Sequence, residues 1–130
     1  MISRDVWKQK IEQLWKKKSI VWLSGVRRAG KTTLSKMLDA EYYNCDLPSV
    51  QERLNNPEHF LKSLRSGSRI IFDEIHQLKS PSEILKIAAD EYPSLKILAT
   101  GSSTLAATRK FRDSLTGRKS TLYLAPVLWS

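Results

Sequence analysis

One stretch of this sequence concentrates residue types whose spacing suits phosphate chemistry. Gly25-Val26-Arg27-Arg28-Ala29-Gly30-Lys31-Thr32 follows the pattern glycine, four residues, glycine, lysine, threonine. Gly25 permits a sharp turn, and Gly30 removes a Cβ where backbone N–H groups must converge on an anion. A helix beginning at Thr32 adds its positive N-terminus to the same place. Lys31 then reaches the β- and γ-phosphates of a nucleoside triphosphate, and the Thr32 hydroxyl can ligate Mg²⁺. Arg28, Ala29 and Thr33 complete the cofactor-binding candidates. Arg27 and Arg28 lie inside the loop but outside its required letters, so exposed surface charge competes with phosphate or partner contact for both.

Further along, Arg69-Ile70-Ile71-Phe72-Asp73-Glu74 is an apolar run that ends in two acids. If the run is a buried strand, both carboxylates reach the carboxyl edge of a sheet, where α/β folds bind ligands. Asp73 can hold Mg²⁺ through its water shell, and Glu74 can orient a water for attack on the γ-phosphate. A polar strand end is the bland alternative, and the upstream phosphate loop argues against it. A softer signal is Leu98-Ala99-Thr100-Gly101-Ser102-Ser103, where Thr100 or Ser102 could hydrogen-bond the γ-phosphate or the attacking water. Helix capping is the competing role for Ser102 and Ser103.

These residues need elements to hold them. Trp7, Ile11, Leu14 and Trp15 share one face of an amphipathic helix over residues 1–18, and Lys16-Lys17-Lys18 closes it favourably for the helix dipole. Strands are expected at Ile20–Leu23, Tyr42–Cys45, Arg69–Phe72, Leu95–Ala99 and Thr121–Leu124. Between them, helices are expected over Thr32–Ala40, from the capping box Ser49-x-x-Glu52, and from Asn56-Pro57 to Gly67. Two more are expected from Ser80-Pro81-Ser82-Glu83 towards Tyr92 and over Ser103–Phe111. Strands that lack alternation, separated by helices, imply a mostly parallel central sheet with helices on both faces, an α/β fold in three layers.

With 130 residues the chain fits one domain, and 41% hydrophobic with 27% charged residues is an ordinary globular balance. A single cysteine, Cys45, excludes an internal disulfide and reads as a small buried residue. Two histidines beside it exclude a Cys/His zinc knuckle. No apolar run approaches the roughly 20 residues of a membrane span. The first residues lack the apolar region of a signal peptide, so a cytoplasmic setting and no membrane partner are expected. Net charge is +9 and unevenly spread: residues 1–31 carry nine basic against two acidic, residues 32–91 seven against ten, and the remainder six against one. Basic ends invite an anionic partner, nucleic acid or protein, or are simply solvated. Among single residues, His76 and Asp46 read as surface or turn residues, and Arg109-Lys110-x-Arg112 as a solvated helix face.

Taken together, the loop GVRRAGKTTL, the strand RIIFDEIHQL, the segment ILATGSS and the late SLTGR resemble the AAA+ family. More narrowly they resemble predicted prokaryotic ATPases that join an N-terminal AAA+ core to a C-terminal domain of unknown function. The resemblance runs from Ser19 to Trp129, with Leu128 replacing the usual serine near its end. It implies a P-loop NTPase core over residues 19–130 that stops before the lid, and ATP as the nucleotide. It further implies Thr100 or Ser102 as the γ-phosphate sensor, and Arg118 as a finger reaching a neighbouring subunit of a homo-oligomer. The expected function is Mg²⁺-dependent ATP binding and hydrolysis, with Glu74, Lys31, Arg118, Thr100 and Ser102 as catalytic residues. The alternative is a nucleotide-switched nucleic-acid or protein binding module with little turnover. A small-molecule kinase would share the loop, but Glu74 beside Asp73 argues against it, because a kinase must keep water from attacking.

Overall fold

The computed structural model describes residues 4–24, 38–101, 105 and 108–123. Helix α1 (Arg4–Lys17) precedes β1 (Ile20–Ser24), and β2 (Glu41–Asn44), α2 (Pro48–Arg53), α3 (Pro57–Lys62) and β3 (Arg69–Asp73) follow. A short 3-10 helix (Ile75–Gln77) leads into α4 (Pro81–Glu91), β4 (Lys96–Thr100), α5 (Arg109–Leu115) and β5 (Lys119–Tyr123). The strands form one sheet in the order β2-β3-β4-β1-β5. Every neighbouring pair is parallel. All described strands therefore end on one edge, and everything they deliver arrives there together.

Period-two alternation splits the core between the two faces of the sheet. Ile20, Trp22, Ile70, Phe72, Ile97 and Ala99 face one side and pack with Phe60, Ile84, Leu85 and Phe111 from the helices. Val21, Leu23, Ile71 and Leu98 face the other and pack with Ile11 and Trp15 of α1 and with Leu38. Trp22 meets Phe111 edge-on at 4.9 Å between ring centroids. On the α1 face the buried Trp15 also donates its indole N–H to the Ile97 carbonyl at 2.9 Å, which pins the helix to a central strand. Arg69 reinforces this corner, lying 3.0 Å from Glu12 of α1 and donating to the Leu38 carbonyl at 3.0 Å.

Several local signals act as their chemistry dictates. Asn56 caps α3 by accepting from the His59 N–H at 3.2 Å, with Pro57 in the first turn. Pro81 likewise opens α4. The two expected capping boxes do not form. Helix α2 starts with Pro48 after Leu47, so Ser49 already lies inside it, and Ser80 at the start of α4 makes no side-chain cap bond. A proline in the first turn presets φ and leaves one fewer amide to satisfy, which removes part of the demand for a side-chain cap. Helix α3 stops at Lys62, before the expected Gly67, which instead supplies a left-handed turn at φ +83°. Helix α5 begins after Thr108, whose hydroxyl accepts from the Phe111 N–H at 3.3 Å; Leu105 before it is helical too, and the expected start at Ser103 lies outside the described residues.

The exit of β4 is tightly confined. A Cβ on Gly101 would lie 2.8 Å from the Trp22 ring, 3.3 Å from Ile75 and 3.4 Å from His76. Trp22 is buried against Phe111 and cannot swing away. Gly101→Ala should therefore destabilise the fold by about 1–3 kcal/mol, the usual cost of overpacking a filled core. Urea unfolding of the two proteins measures this, and equal midpoints would contradict the packing described.

Candidate functional site

The site grows from the carboxyl end of β3. Parallel register sets Asn44 beside Asp73 and Leu23 beside Thr100, so the ends of β2, β3, β4 and β1 share one edge. Asp73 is only 1% exposed, and a carboxylate that far from water needs hydrogen-bond donors. Thr100 Oγ1 donates to its Oδ1 at 2.6 Å. The Tyr42 hydroxyl donates to its Oδ2. The same Thr100 oxygen accepts from the Glu74 N–H at 3.2 Å, so one hydroxyl ties the two acids together. Beneath them the Asp73 carbonyl accepts from the Cys45 N–H at 2.9 Å, continuing the β2–β3 ladder.

The charge of this cluster is felt nearby. Burial, and then the hydrogen bond to Asp73 and the charges of Asp73 and Glu74, raise the Tyr42 phenol above its ordinary range, so it remains a donor. Burial, and then the same two carboxylates, push the Cys45 thiol up to about 12. Cys45 is fully buried and stays a neutral thiol at neutral pH, a packing residue and not a nucleophile.

Glu74 leaves the strand in a left-handed conformation, φ 58° and ψ 44°, which costs a residue with a Cβ roughly 1–2 kcal/mol. The surroundings hold it there: Thr100 takes its N–H, Gln77 N–H donates to its carbonyl at 3.0 Å, and the next side chain, Ile75, is fully buried. Strain of this kind persists only where the surroundings over-determine it. The Glu74 carboxylate is about one-third exposed, with Oε2 3.4 Å from His76 Nε2.

Of the residues singled out by sequence, the structure brings Asp73, Glu74 and Thr100 together. Arg118 stands apart. Its neighbour Lys119 pairs with Ile20 at the amino edge of the sheet, whereas Ser24 at the other end of β1 pairs with Tyr123. Four residues of strand, about 13 Å, therefore separate Arg118 from the acid edge. Its guanidinium grips Asp90 of α4 in a bidentate pair, with Nε at 2.8 Å from Oδ1 and Nη2 at 3.1 Å from Oδ2, and Nη1 donates to the Ser114 carbonyl at 3.0 Å. This pairing holds Asp90 below its ordinary carboxylate range. Asp113, the acid closer in sequence, faces Arg109 at 3.7 Å instead. Gly25, Arg27, Arg28, Ala29, Gly30, Lys31, Thr32, Thr33 and Ser102 lie outside the described residues. Strand β1 ends with Ser24 at this edge, and Gly25 is the next residue in sequence.

Asp46 is exposed, its N–H donating to the Asn44 side chain at 3.0 Å in the turn before Pro48, a structural role. Arg109, Lys110 and Arg112 are exposed on α5. Sequence reasoning missed Tyr42. Its contact depends on the pairing of β2 with β3, and a tyrosine in a strand carries no mark of it. The donor set suits a hydrated divalent cation: Asp73 offers hard oxygens, and its two hydroxyl partners orient it without cancelling its charge. Among the described residues no group of three or more His, Cys, Asp or Glu could enclose a metal unaided, so any cation here needs ligands from elsewhere. No described helix is long and apolar enough to cross a membrane.

Known structures share this architecture. The Walker-type ATPase of Pyrococcus abyssi matches with a TM-score of 0.58 at 19% identity, over 95% of this chain and 54% of that one. A variant RuvB from Thermotoga maritima matches with a TM-score of 0.61 at 20% identity, over 95% and 46%. A DNA polymerase III gamma subunit-related protein from the same organism matches with a TM-score of 0.55 at 11% identity, over 95% and 46%. The chain thus spans about half the length of these solved structures, and at such identities the likeness is one of fold. Among curated proteins none matches the sequence. A family model described as an AAA domain, however, matches residues 17–130, which takes in the loop, the acid pair and the strands that carry them, and this chain belongs to that AAA domain family.

Proposed function

We propose that the chain binds ATP at the carboxyl edge of its sheet and hydrolyses it with Mg²⁺. The observation that carries this reading is the linked set Asp73–Thr100–Glu74, built at the strand ends where β1 turns into Gly25-x-x-x-x-Gly30-Lys31-Thr32. In this reading the backbone from Gly25 to Thr33 wraps the phosphates, and Lys31 neutralises charge on the β- and γ-oxygens. Thr32, and Asp73 through water, hold Mg²⁺, which offsets phosphate charge when bound. Glu74 orients a water in line with the γ-phosphorus and accepts its proton as the new P–O bond forms and the bond to ADP breaks. A hydroxyl has one O–H, and Thr100 gives its own to Asp73, so Thr100 serves the acids and Ser102 takes the sensor role at the γ-phosphate. A cytoplasmic setting, with ATP and Mg²⁺ present and Cys45 reduced, suits this reading.

The two acids should fail differently. Asp73→Asn should weaken Mg²⁺-dependent nucleotide binding, because its effect is exerted on the ground state. Glu74→Gln should keep ATP affinity within about threefold and lose turnover by at least about 10²-fold, because a water-orienting group acts mainly in the transition state. Titration with a fluorescent ATP analogue beside phosphate-release assays separates them. A Glu74→Gln protein that turns over at the wild-type rate would remove Glu74 from catalysis. Strong nucleic-acid binding switched by nucleotide, with negligible turnover in the wild type, would favour the binding-module alternative.

Arg118 fits a role in trans. It sits about one strand length from its own acid edge, too far to touch a phosphate held there, while its pairing with Asp90 keeps the guanidinium fixed at the surface. An arginine supplied by a neighbouring copy is worth about 10³–10⁵ in rate in enzymes of this chemistry. Assembled Arg118→Ala chains and assembled Glu74→Gln chains should each be nearly inactive. Mixing them should restore activity at interfaces that join an intact Glu74 to a donated Arg118. No recovery at any mixing ratio, with assembly verified by sedimentation, contradicts the arrangement.

A further inference from the structure

Two tyrosines stand side by side on the edge strand β2, and alternation sends them to opposite faces. Tyr43 packs into the core, 5.1 Å from Phe60 and 6.1 Å from Phe72 between ring centroids. Tyr42 lies in register with Ile71 and, two residues further along the same face, its hydroxyl reaches Asp73 Oδ2. Tyr42 is 37% exposed as a residue, and the hydroxyl contact is its distinguishing feature.

A carboxylate on a single methylene rotates broadly about its last torsion. The Thr100 hydroxyl holds Oδ1. A second donor on Oδ2, arriving from the neighbouring strand, fixes the plane. Its chemistry matters as much as its position. A lysine or arginine at this place would neutralise Asp73 and compete with any cation, whereas a phenol orients the carboxylate and leaves its full charge. Hydrogen-bond partners of metal-binding carboxylates commonly govern affinity by about 10–100-fold.

Resting on the reading of Asp73 as the Mg²⁺ partner, we propose that Tyr42 is a positioning residue of this site, its hydroxyl clamping the Asp73 carboxylate from β2 opposite Thr100 so that the acid meets the hydrated cation in one orientation. Asn44, whose side-chain oxygen accepts from the Asp46 N–H, and Cys45, whose backbone N–H donates to the Asp73 carbonyl, do not substitute for it.

The test titrates Mg²⁺ into the protein at fixed fluorescent ATP analogue and also measures analogue affinity in EDTA. Four proteins are compared: wild type, Tyr42→Phe, Tyr43→Phe and Asp73→Asn. Tyr42→Phe keeps the ring and should raise the half-saturating Mg²⁺ concentration about tenfold, with affinity in EDTA and the thermal midpoint near wild type. Tyr43→Phe, which loses the same atom on the opposite face, should titrate as wild type. A Tyr42→Phe protein that titrates as wild type while Asp73→Asn does not overturns the proposal and leaves the site reading intact. Equal loss in EDTA and in Mg²⁺ also overturns it, because the role would then be structural. Indifference of wild type and Asp73→Asn alike to Mg²⁺ overturns the site reading, and Tyr42 falls with it.

Discussion

A negative charge held out of water is the constraint around which this end of the molecule is arranged. Removing a carboxylate from solvent costs several kcal/mol even after relaxation, more than burying one core side chain returns, at about 1.5–3 kcal/mol. At 1% exposure Asp73 draws on the hydroxyls of Thr100 and Tyr42, which come from the strands on either side. Those hydroxyls arrive only if β2, β3 and β4 are parallel and in this register. The apolar faces of the sheet supply the stability that keeps the register, with Trp22 and Phe72 on one side and Trp15 and Leu98 on the other. Packing sets the acid in place.

The same parallel geometry separates two kinds of chemistry. Strand ends gather Asp73, Glu74 and Thr100, while strand starts gather Arg118, Lys96 and Lys18. At the starts, Lys96 donates to the Trp15 carbonyl at 3.2 Å and Lys18 to the Gly117 carbonyl at 2.7 Å, so two of the cations are occupied with backbone acceptors. Arg118 is gripped by Asp90 across α4 and β5. The left-handed turn at Glu74 leads into Ile75 and His76, which with the Trp22 ring crowd the place a Cβ on Gly101 would take. Strain and close packing thus coincide beneath the acid read as orienting water.

Much of this was legible from the residues. Short apolar runs located β1, β3 and β4 to within a residue or two, because a strand buried on both faces leaves little choice of side chain. The edge strands β2 and β5 also lie within two residues of where they were expected, though neither is an apolar run. Asn56-Pro57 and Pro81 marked helix starts through local backbone chemistry. The acid pair was readable because it ends such a run. Contacts made only after folding were not. Asp90 lies 28 residues from Arg118, and no local pattern prefers it to Asp113. Tyr42 lies 31 residues from Asp73, and its role depends on which strand pairs with β3. The capping boxes misled because serine and glutamate at the right spacing permit a cap without requiring one, and a first-turn proline had already begun the helix.

The central claim is that the sheet edge at Asp73 receives a metal-bound nucleoside triphosphate. A crystal structure with a nonhydrolysable ATP analogue and Mg²⁺ tests it most directly. The account predicts phosphates wrapped by the residues that follow β1 and a hydrated Mg²⁺ beside the Asp73 carboxylate. Tyr42 and Thr100 should still be bonded to that carboxylate, with Glu74 turned towards the γ-phosphate. An analogue seated elsewhere on the molecule, or one ordered at this edge with its metal out of reach of Asp73, would contradict it.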